Sequence, residues 1–373
     1  MFPAGLPRFA TELRGSAVIL SSLRVLLTAA CVILSADVVR ADSPIKDDES
    51  VVLFNACAQA DGDGWLVPVH GWIFEPEEGS TWRRGALFAA HQAMGLGDEG
   101  TRSARFQSVA RWFMVDNERG KELPITVGGT QVTLPKSGSD GHARLWVRLP
   151  ANGSSQWLDM ETRARDGRRF RAVVQLVPPT GVSVVSDVDD TIKVTEVLMG
   201  KRRILERTFL EPFEEVPGMA SRYRAWRDGG GAAFHYVSAS PWHLYPELSR
   251  FMSRSKFPTG TLHLRQFRVK DERRWNLLAS PRRHKLREIS TLLSRYPKRR
   301  FVLVGDTGES DPEVYGELAR AHRKQIAAIA VRRLPGDRWS EARRKAAFAG
   351  ITARVVLFST PADLPDLAEL AGP

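Results

Sequence analysis

The spacing of apolar positions changes once along the chain. Over residues 51–177 apolar side chains recur at every second position. In Ala143-Arg144-Leu145-Trp146-Val147-Arg148-Leu149 alternate residues line one face of a strand, and Phe170, Ala172, Val174 and Leu176 repeat the pattern. Gly128-Gly129, set between Ile125-Thr126-Val127 and Thr130-Gln131-Val132, is a two-residue hairpin signal. Residues 50–178 are therefore expected to form a mostly antiparallel, sandwich-like β-rich domain, in which no catalytic cluster stands out. Pro178-Pro179-Thr180-Gly181 reads as a boundary.

Beyond it, short apolar runs alternate with helical ones. Residues 182–186 read as a strand. Residues 217–227 read as a helix with Met219, Tyr223 and Trp226 on one face, stopped by Gly229-Gly230-Gly231. Further strands are expected over 232–237, 301–304, 326–331 and 355–358. Helices are expected to start at Ser240-Pro241, Ser280-Pro281 and Asp311-Pro312. Residues 180–373 thus read as an α/β domain, a Rossmann-like parallel sheet with helices on both faces. Such sheets bind ligands beyond the carboxyl ends of their strands.

Composition adds three constraints. The 373 residues are 43% hydrophobic and 26% charged, enough for two packed cores. The formal charge is +11, which favours anionic partners without choosing among lipid head groups, nucleic acid and acidic polymers. Arg8, Arg14 and Arg24 precede an apolar run over 25–36, followed by the small-x-small site Val39-Arg40-Ala41. That run is shorter than the roughly 20 residues a membrane span needs, so residues 1–41 read as a signal peptide for export to the periplasm or beyond. An uncleaved amino-terminal anchor is the alternative. Of the two cysteines, Cys31 lies in the leader, which leaves Cys57 with no intramolecular partner and excludes a cysteine-rich zinc site.

Polar residues gather where the later strands end. The first strand runs into Asp187-Val188-Asp189-Asp190-Thr191, and the second ends at Ser238-Ala239-Ser240. Lys285 lies near a helix start. A later strand ends in Gly305-Asp306-Thr307-Gly308-Glu309-Ser310-Asp311. Crowded carboxylates need a cation, and oxygen-only ligands favour Mg2+. A metal that neutralises phosphate lets a carboxylate attack it, while a lysine and a serine hold the remaining oxygens. This set suits phosphoryl transfer.

In that order and at those strand ends, Asp187-x-Asp189-x-Thr191, Ser238, Lys285 and Gly305-Asp306-x-x-x-x-Asp311 resemble the four motifs of the haloacid dehalogenase superfamily. With Asp189-Asp190-Thr191-Ile192-Lys193, Thr208-Phe209-Leu210-Glu211-Pro212-Phe213, Val216-Pro217-Gly218-Met219 and Tyr236-Val237-Ser238-Ala239-Ser240-Pro241-Trp242, the stretch over 180–335 resembles the catalytic domain of fungal actin-patch phosphatidate phosphatases and their bacterial relatives. The resemblance implies magnesium-dependent hydrolysis of phosphatidate to diacylglycerol and phosphate. It implies Asp187 as a nucleophile that forms an aspartyl-phosphate. Asp189 would act as general acid and then base, with its backbone carbonyl facing the metal. Asp187, Asp189, Asp306 and Asp311 would be the metal set. Ser238, Lys285 and Thr191 would be the phosphate-binding set, Thr191 as an orienting hydroxyl.

Some residues have plainer readings. Asp190 is expected to bond loop backbone. Ser240 and Asp311, each before a proline, read as helix caps, and at Asp311 capping competes with metal binding. His235, His243 and His284 lack a metal spacing. Lys201, Arg202, Arg203 and Arg207 beside Leu205, Phe209 and Leu210 suggest a basic amphipathic flap over the site. Arg265, Arg268, Lys270, Arg273 and Arg274 with Phe267 and Trp275 suggest a second basic surface. With no room for a long cap domain, an anionic lipid at a membrane surface is the expected partner. No nucleic-acid-binding fold is recognisable. Three other readings remain in view: a phosphatase for a soluble sugar or nucleotide ester, a phosphate-receiving signalling domain, and a non-catalytic anionic-lipid or phosphate-binding module. The signalling domain is disfavoured because its acceptor aspartate would precede the hydroxyl and lysine.

Overall fold

The computed structural model describes residues 45–76, 103–151, 155–266 and 281–372. The expected leader, and the basic and aromatic residues expected over 267–280, lie outside the described residues.

The amino-terminal half is built from β1 (Ser50–Leu53), β2 (Ala56–Asp61), β3 (Gly64–Pro76), α1 (Ala104–Ala110), β4 (Val115–Asn117), β5 (Leu123–Val127), β6 (Thr130–Leu134), β7 (His142–Pro150), β8 (Trp157–Arg163) and β9 (Arg169–Val177). Among the described residues its nine strands form one continuous sheet. The long β3 pairs with β1, β2, β4 and β7, which lets the sheet fold around a core of Val67, Val69, Ile73, Leu123, Ile125, Leu149 and Val174. Every pairing is antiparallel except β2 with β9, so the sheet is mixed and mostly antiparallel. The β5–β6 hairpin turns on Gly128 and Gly129, whose φ of 54° and 85° only glycine adopts at low cost.

The carboxy-terminal half comprises β10 (Val182–Ser186), α2 (Lys201–Phe209), α3 (Met219–Gly230), β11 (Ala233–Pro241), α4 (Tyr245–Arg254), β12 (Thr261–Arg265), α5 (Pro281–Arg295), β13 (Arg300–Asp306), α6 (Asp311–Ala321), β14 (Ile326–Arg332), α7 (Glu341–Phe348), β15 (Arg354–Phe358) and α8 (Leu367–Ala371). Six strands run parallel in the order β12-β11-β10-β13-β14-β15. Apolar clusters cover both faces. Val184, Val302 and Val304 turn toward Tyr223 and Trp226 of α3, whereas Val185, Leu303 and Ile329 turn toward Ile289 of α5 and Val314 of α6. That alternation is what a strand buried on both faces requires. Because β10 is central, with β11 on one side and β13 on the other, its carboxyl end is the switch point where such sheets hold ligands.

Several elements depart from the sequence expectation, among them α7 and α8, for which it offered no helix. Edge strand β12 and helix α1 were not anticipated, and the helix expected from residue 217 begins at Met219. Of these, β12 and α1 bind the two halves together. On α1, Val109 joins the core of the parallel sheet, and Arg105 Nη1 lies 3.0 Å from Glu247 of α4. Trp112 Nε1 donates to the other oxygen of Glu247 at 3.0 Å. Leu262 and Leu264 of β12 pack beside Trp72 and Trp242, whose rings meet edge to face at 4.3 Å. Among the described residues no helix is long and apolar enough to cross a membrane.

Candidate active site

Parallel pairing of β10 with β11 and β13 delivers Asp187, Ser238 and Asp306 to one rim. Asp187 follows the last residue of β10, and its N–H donates to Val304 O of β13 at 2.8 Å. Lys285, on the second turn of α5, is buried. Its ammonium reaches Asp187 Oδ1 at 2.7 Å, Asp311 Oδ1 at 2.5 Å and Glu309 Oε2 at 3.0 Å. Thr191 Oγ1 lies between carboxylates, 3.4 Å from Asp187 Oδ2 and 3.3 Å from Asp306 Oδ2. Asp306 Oδ1 accepts the Gly308 N–H at 2.6 Å, and Asp311 Oδ2 accepts the Asp306 N–H at 3.3 Å. A Cβ at Gly305 would stand 2.3 Å from Asp311 Oδ2, so this close approach of carboxylate to backbone requires glycine.

This side of the site is short of positive charge. Burial pushes the Asp187 carboxyl well above its usual range. Asp311, Asp306 and Glu309 push it the same way, and Lys285 opposes them. Burial and Asp311 raise Asp306 likewise, and burial raises Asp311. Burial alone would lower Lys285, but Asp187, Asp311 and Glu309 hold its ammonium well above the ordinary lysine range. Asp187, Glu309 and Asp311 offer carboxylate oxygens within 4.8 Å of one another. An all-oxygen, anionic donor set with excess negative charge fits a hard divalent cation.

Two residues along, Asp189 meets different surroundings. Its Oδ1 lies 2.9 Å from the buried Lys193 ammonium and accepts from Thr195 Oγ1 at 2.8 Å. Its Oδ2 accepts from Ser238 Oγ at 3.0 Å and Ser240 Oγ at 3.3 Å. Burial would raise this carboxyl, but Lys193 and the bonds from Thr195 and Ser238 outweigh it and hold it down at about 2. Asp190, between Asp189 and Thr191, takes a left-handed φ of 53°. Its carboxylate accepts the N–H groups of Thr195, Glu196 and Val197 at 2.7, 2.8 and 2.6 Å, and Arg332 donates to its carbonyl at 2.5 Å. The turn after β10 is thereby fixed by backbone bonds and not by packing alone.

The structure brings Asp187, Thr191, Lys285, Asp306 and Asp311 together and sets Asp189 and Ser238 beside them. Three sequence readings change. Ser240 is no helix cap: β11 runs on to Pro241 and α4 starts only at Tyr245, which leaves the Ser240 hydroxyl facing Asp189. Asp311 is not a cap either, because Ser310 holds that position and the Asp311 carboxylate turns inward to Lys285. The expected basic flap is α2, whose charge is largely neutralised. Arg203 pairs with Glu196, Glu206 and Glu211, and Arg207 pairs with Glu196, Glu211 and Glu214. At the end of α2 the Phe209 ring lies tilted against Phe106 and Phe113, with centroids 5.9 and 5.6 Å away, and the helix is half-buried. Sequence reasoning gave no role to Glu309, Lys193 or Thr195. Lys193 lies four residues after Asp189 and within a stretch that carries the family resemblance, but neither signal gives it a role.

Comparison with known proteins bears on the same half. Residues 182–333 match the family described as phosphatidate phosphatase APP1, catalytic domain. An uncharacterized protein of Schizosaccharomyces pombe is 31% identical over 173 residues, 46% of this chain and 28% of that protein. Phosphatidate phosphatase APP1 of Saccharomyces cerevisiae is 32% identical over 158 residues, 42% of this chain and 26% of that protein. The match thus spans little more than a quarter of either relative. A solved structure described as haloacid dehalogenase-like, from Burkholderia xenovorans LB400, overlaps 50% of this chain and 95% of its own, with a TM-score of 0.31 and 13% identity. The fold assignment rests on the strand order itself. The segment over residues 182–333 is related to the catalytic domain of the APP1 phosphatidate phosphatases.

Proposed function

We propose that this protein is a magnesium-dependent phosphatase that works through an aspartyl-phosphate on Asp187 and acts on phosphatidate or a closely related lipid phosphate. The observation that carries the reading is the pairing of two aspartates in opposed surroundings. Asp187 stands among carboxylates and one ammonium, while Asp189 is held by a lysine and three hydroxyls. Neighbouring acids with separated environments are the arrangement by which one site runs both nucleophilic and acid–base chemistry.

Asp187, Glu309 and Asp311 would hold the cation, with Asp306 beside them. When bound, Mg2+ would neutralise phosphate charge and keep the Asp187 carboxylate ionised. The chain's own residues account for the remaining chemistry. An oxygen of Asp187 attacks phosphorus as the bond to the ester oxygen breaks. Asp189 gives its proton to that leaving oxygen. It then takes a proton from the water that attacks the phospho-aspartate, which releases phosphate and restores Asp187. Lys285, already 2.7 Å from Asp187, would stabilise the equatorial oxygens, with the Ser238 hydroxyl on the opposite side. Ser238 spends its proton on Asp189 in the resting site, so phosphate binding would exchange that bond.

Resting Asp189 is ionised, and a general acid must carry a proton. The dianionic phosphate beside it supplies the charge that raises its affinity for one. The lipid choice rests on the APP1 relationship and on the basic chain, and the expected leader would place the enzyme outside the cytoplasm. The test is phosphate release from phosphatidate in mixed micelles and from soluble sugar and nucleotide esters, with Mg2+ and with EDTA. Mg2+-dependent release from phosphatidate is expected. Release only from soluble esters would overturn the lipid substrate, and no release from any of them would overturn the enzyme.

A further inference from the structure

We infer that the turn Val197–Met199, at the rim of the site, is a membrane-docking knuckle that seats on an anionic bilayer. Among the described residues the exposed large apolar side chains are Trp146 at 46%, Leu198 at 41% and Met199 at 74%. Trp146 has a partner, since the Arg295 guanidinium lies 4.8 Å from its ring centroid. Leu198 and Met199 are consecutive and stand on a single 3-10 turn. The next residue, Gly200, has φ 89° and open space where a Cβ would point, so the turn projects from the molecule.

Its placement matters more than its exposure. The Asp190 carboxylate grips the N–H groups of Glu196 and Val197, which ties the turn to the loop that carries Asp187 and Asp189. Val197 faces the other acidic loop: a Cβ at Gly308 would stand 2.7 Å from its Cγ2 and 3.0 Å from Asp306 Oδ1. The turn is braced from behind, because Glu196 accepts from both Arg203 and Arg207 of α2. A projecting apolar pair on a rigid mount costs little ordering when it enters a bilayer.

Charge selects the occupant. Lys201 follows the turn, exposed and with no ion-pair partner among the described residues, and Arg202 beside it is exposed and held only by Glu206 at 2.9 Å. Apolar tips flanked by cations suit an interface of acyl chains under anionic head groups. Only the first turn of α2, with Lys201 and Arg202, borders this surface; further along the helix Arg203 and Arg207 are taken up in ion pairs. The knuckle deepens the lipid-phosphate reading of the same site and rests on it for its purpose, though not for its test.

The test is sedimentation of the full chain with phosphatidylcholine vesicles containing phosphatidylglycerol, an anionic lipid without a phosphomonoester. Wild type is expected to bind, and Leu198→Ser with Met199→Ser to bind on the order of tenfold or more weakly. Lys201→Glu is expected to lose several-fold on anionic vesicles alone. A circular dichroism spectrum and melting temperature matching wild type check that each variant is folded. Should the double variant fail that check, the lysine variant decides. Absence of wild-type binding, or equal binding by the folded variants, overturns the knuckle. Loss of the phosphatase reading would show separately, as inactivity of wild type on micellar phosphatidate.

Discussion

Asp187 and Asp189 are two residues apart, yet one lies in a region short of positive charge and the other in a region that compensates its charge fully. Around Asp187 the buried Lys285 is shared among three carboxylates, with Asp306 close by. Around Asp189 one lysine serves one carboxylate, and three hydroxyls complete its bonding. Strand alternation would place residues two apart on one face; they are separated because the chain leaves β10 at Ser186 and turns sharply at left-handed Asp190. Val188 between them is buried in the core and works as a spacer. The comparison teaches that the chemistry is set by which neighbours each side meets: β13, α5 and α6 for Asp187, and the turn after β10 with the end of β11 for Asp189.

The sharpest way to break this comparison is to neutralise its crowded side. Asp187→Asn removes the proposed nucleophile and one repelling charge together. Turnover should fall at least about a thousandfold while the circular dichroism spectrum is unchanged. Substantial activity in the folded variant would remove Asp187 from its role. On the compensated side, Lys193→Met leaves Asp189 buried without its cation. Burial and the lysine act in opposite directions on this carboxyl, so loss of the lysine lets it rise from about 2. The acidic limb of the pH–rate profile should then move up by about one unit or more. Lys193→Arg should restore much of the original profile, and an unmoved limb would show that Lys193 does not govern Asp189.

The smallest effect is on stability. Asp187 and Asp306 have folded pKa values raised above the unfolded ones, so their ionisation costs stability, and the cost grows as pH rises above the ordinary aspartate value near 3.8. Asp189 has the opposite sign: its depressed value adds stability above that range, which is lost as pH falls toward about 2. Mg2+ should therefore raise the melting temperature by about 2–5 °C at pH 7 and by less at pH 5. Asp311→Asn should melt higher than wild type without Mg2+ and gain less from it. Equal gains at both pH values would argue against cation binding among these carboxylates.

Much of this arrangement was legible in the sequence. The strands β10 and β13 are short, largely apolar runs that lead into acids, Asp187 just after β10 and Asp306 at the end of β13, and a strand buried on both faces has few other ways to be written. What escaped was decided by tertiary contact. β12 is a single edge strand, Thr-Leu-His-Leu-Arg, whose half-buried leucines gain meaning only beside Trp72 and Trp242. α1 carries three buried residues, and Val109 is buried by the other half of the chain. Ser240 and Asp311 were read as caps because a polar residue before proline is generic cap grammar. Nothing local told that β11 continues to Pro241, or that Lys285 waits behind Asp311. Lys193 was masked in a different way: an i, i+4 acid–base pair usually signifies an exposed helix face, and here the left-handed Asp190 folds it into a buried turn.

The most direct measurement is a search for phosphate on the chain itself. In Asp189→Asn, Asp187 should still attack phosphorus when the leaving group is as good as p-nitrophenolate, but the asparagine cannot activate water for the second step. Acid-quenched protein should gain the mass of one phosphoryl group, removable by hydroxylamine, and peptide mapping should place it on Asp187. Phosphate on another residue, or release of p-nitrophenol at the wild-type rate with no phosphoprotein at any time, would contradict the account.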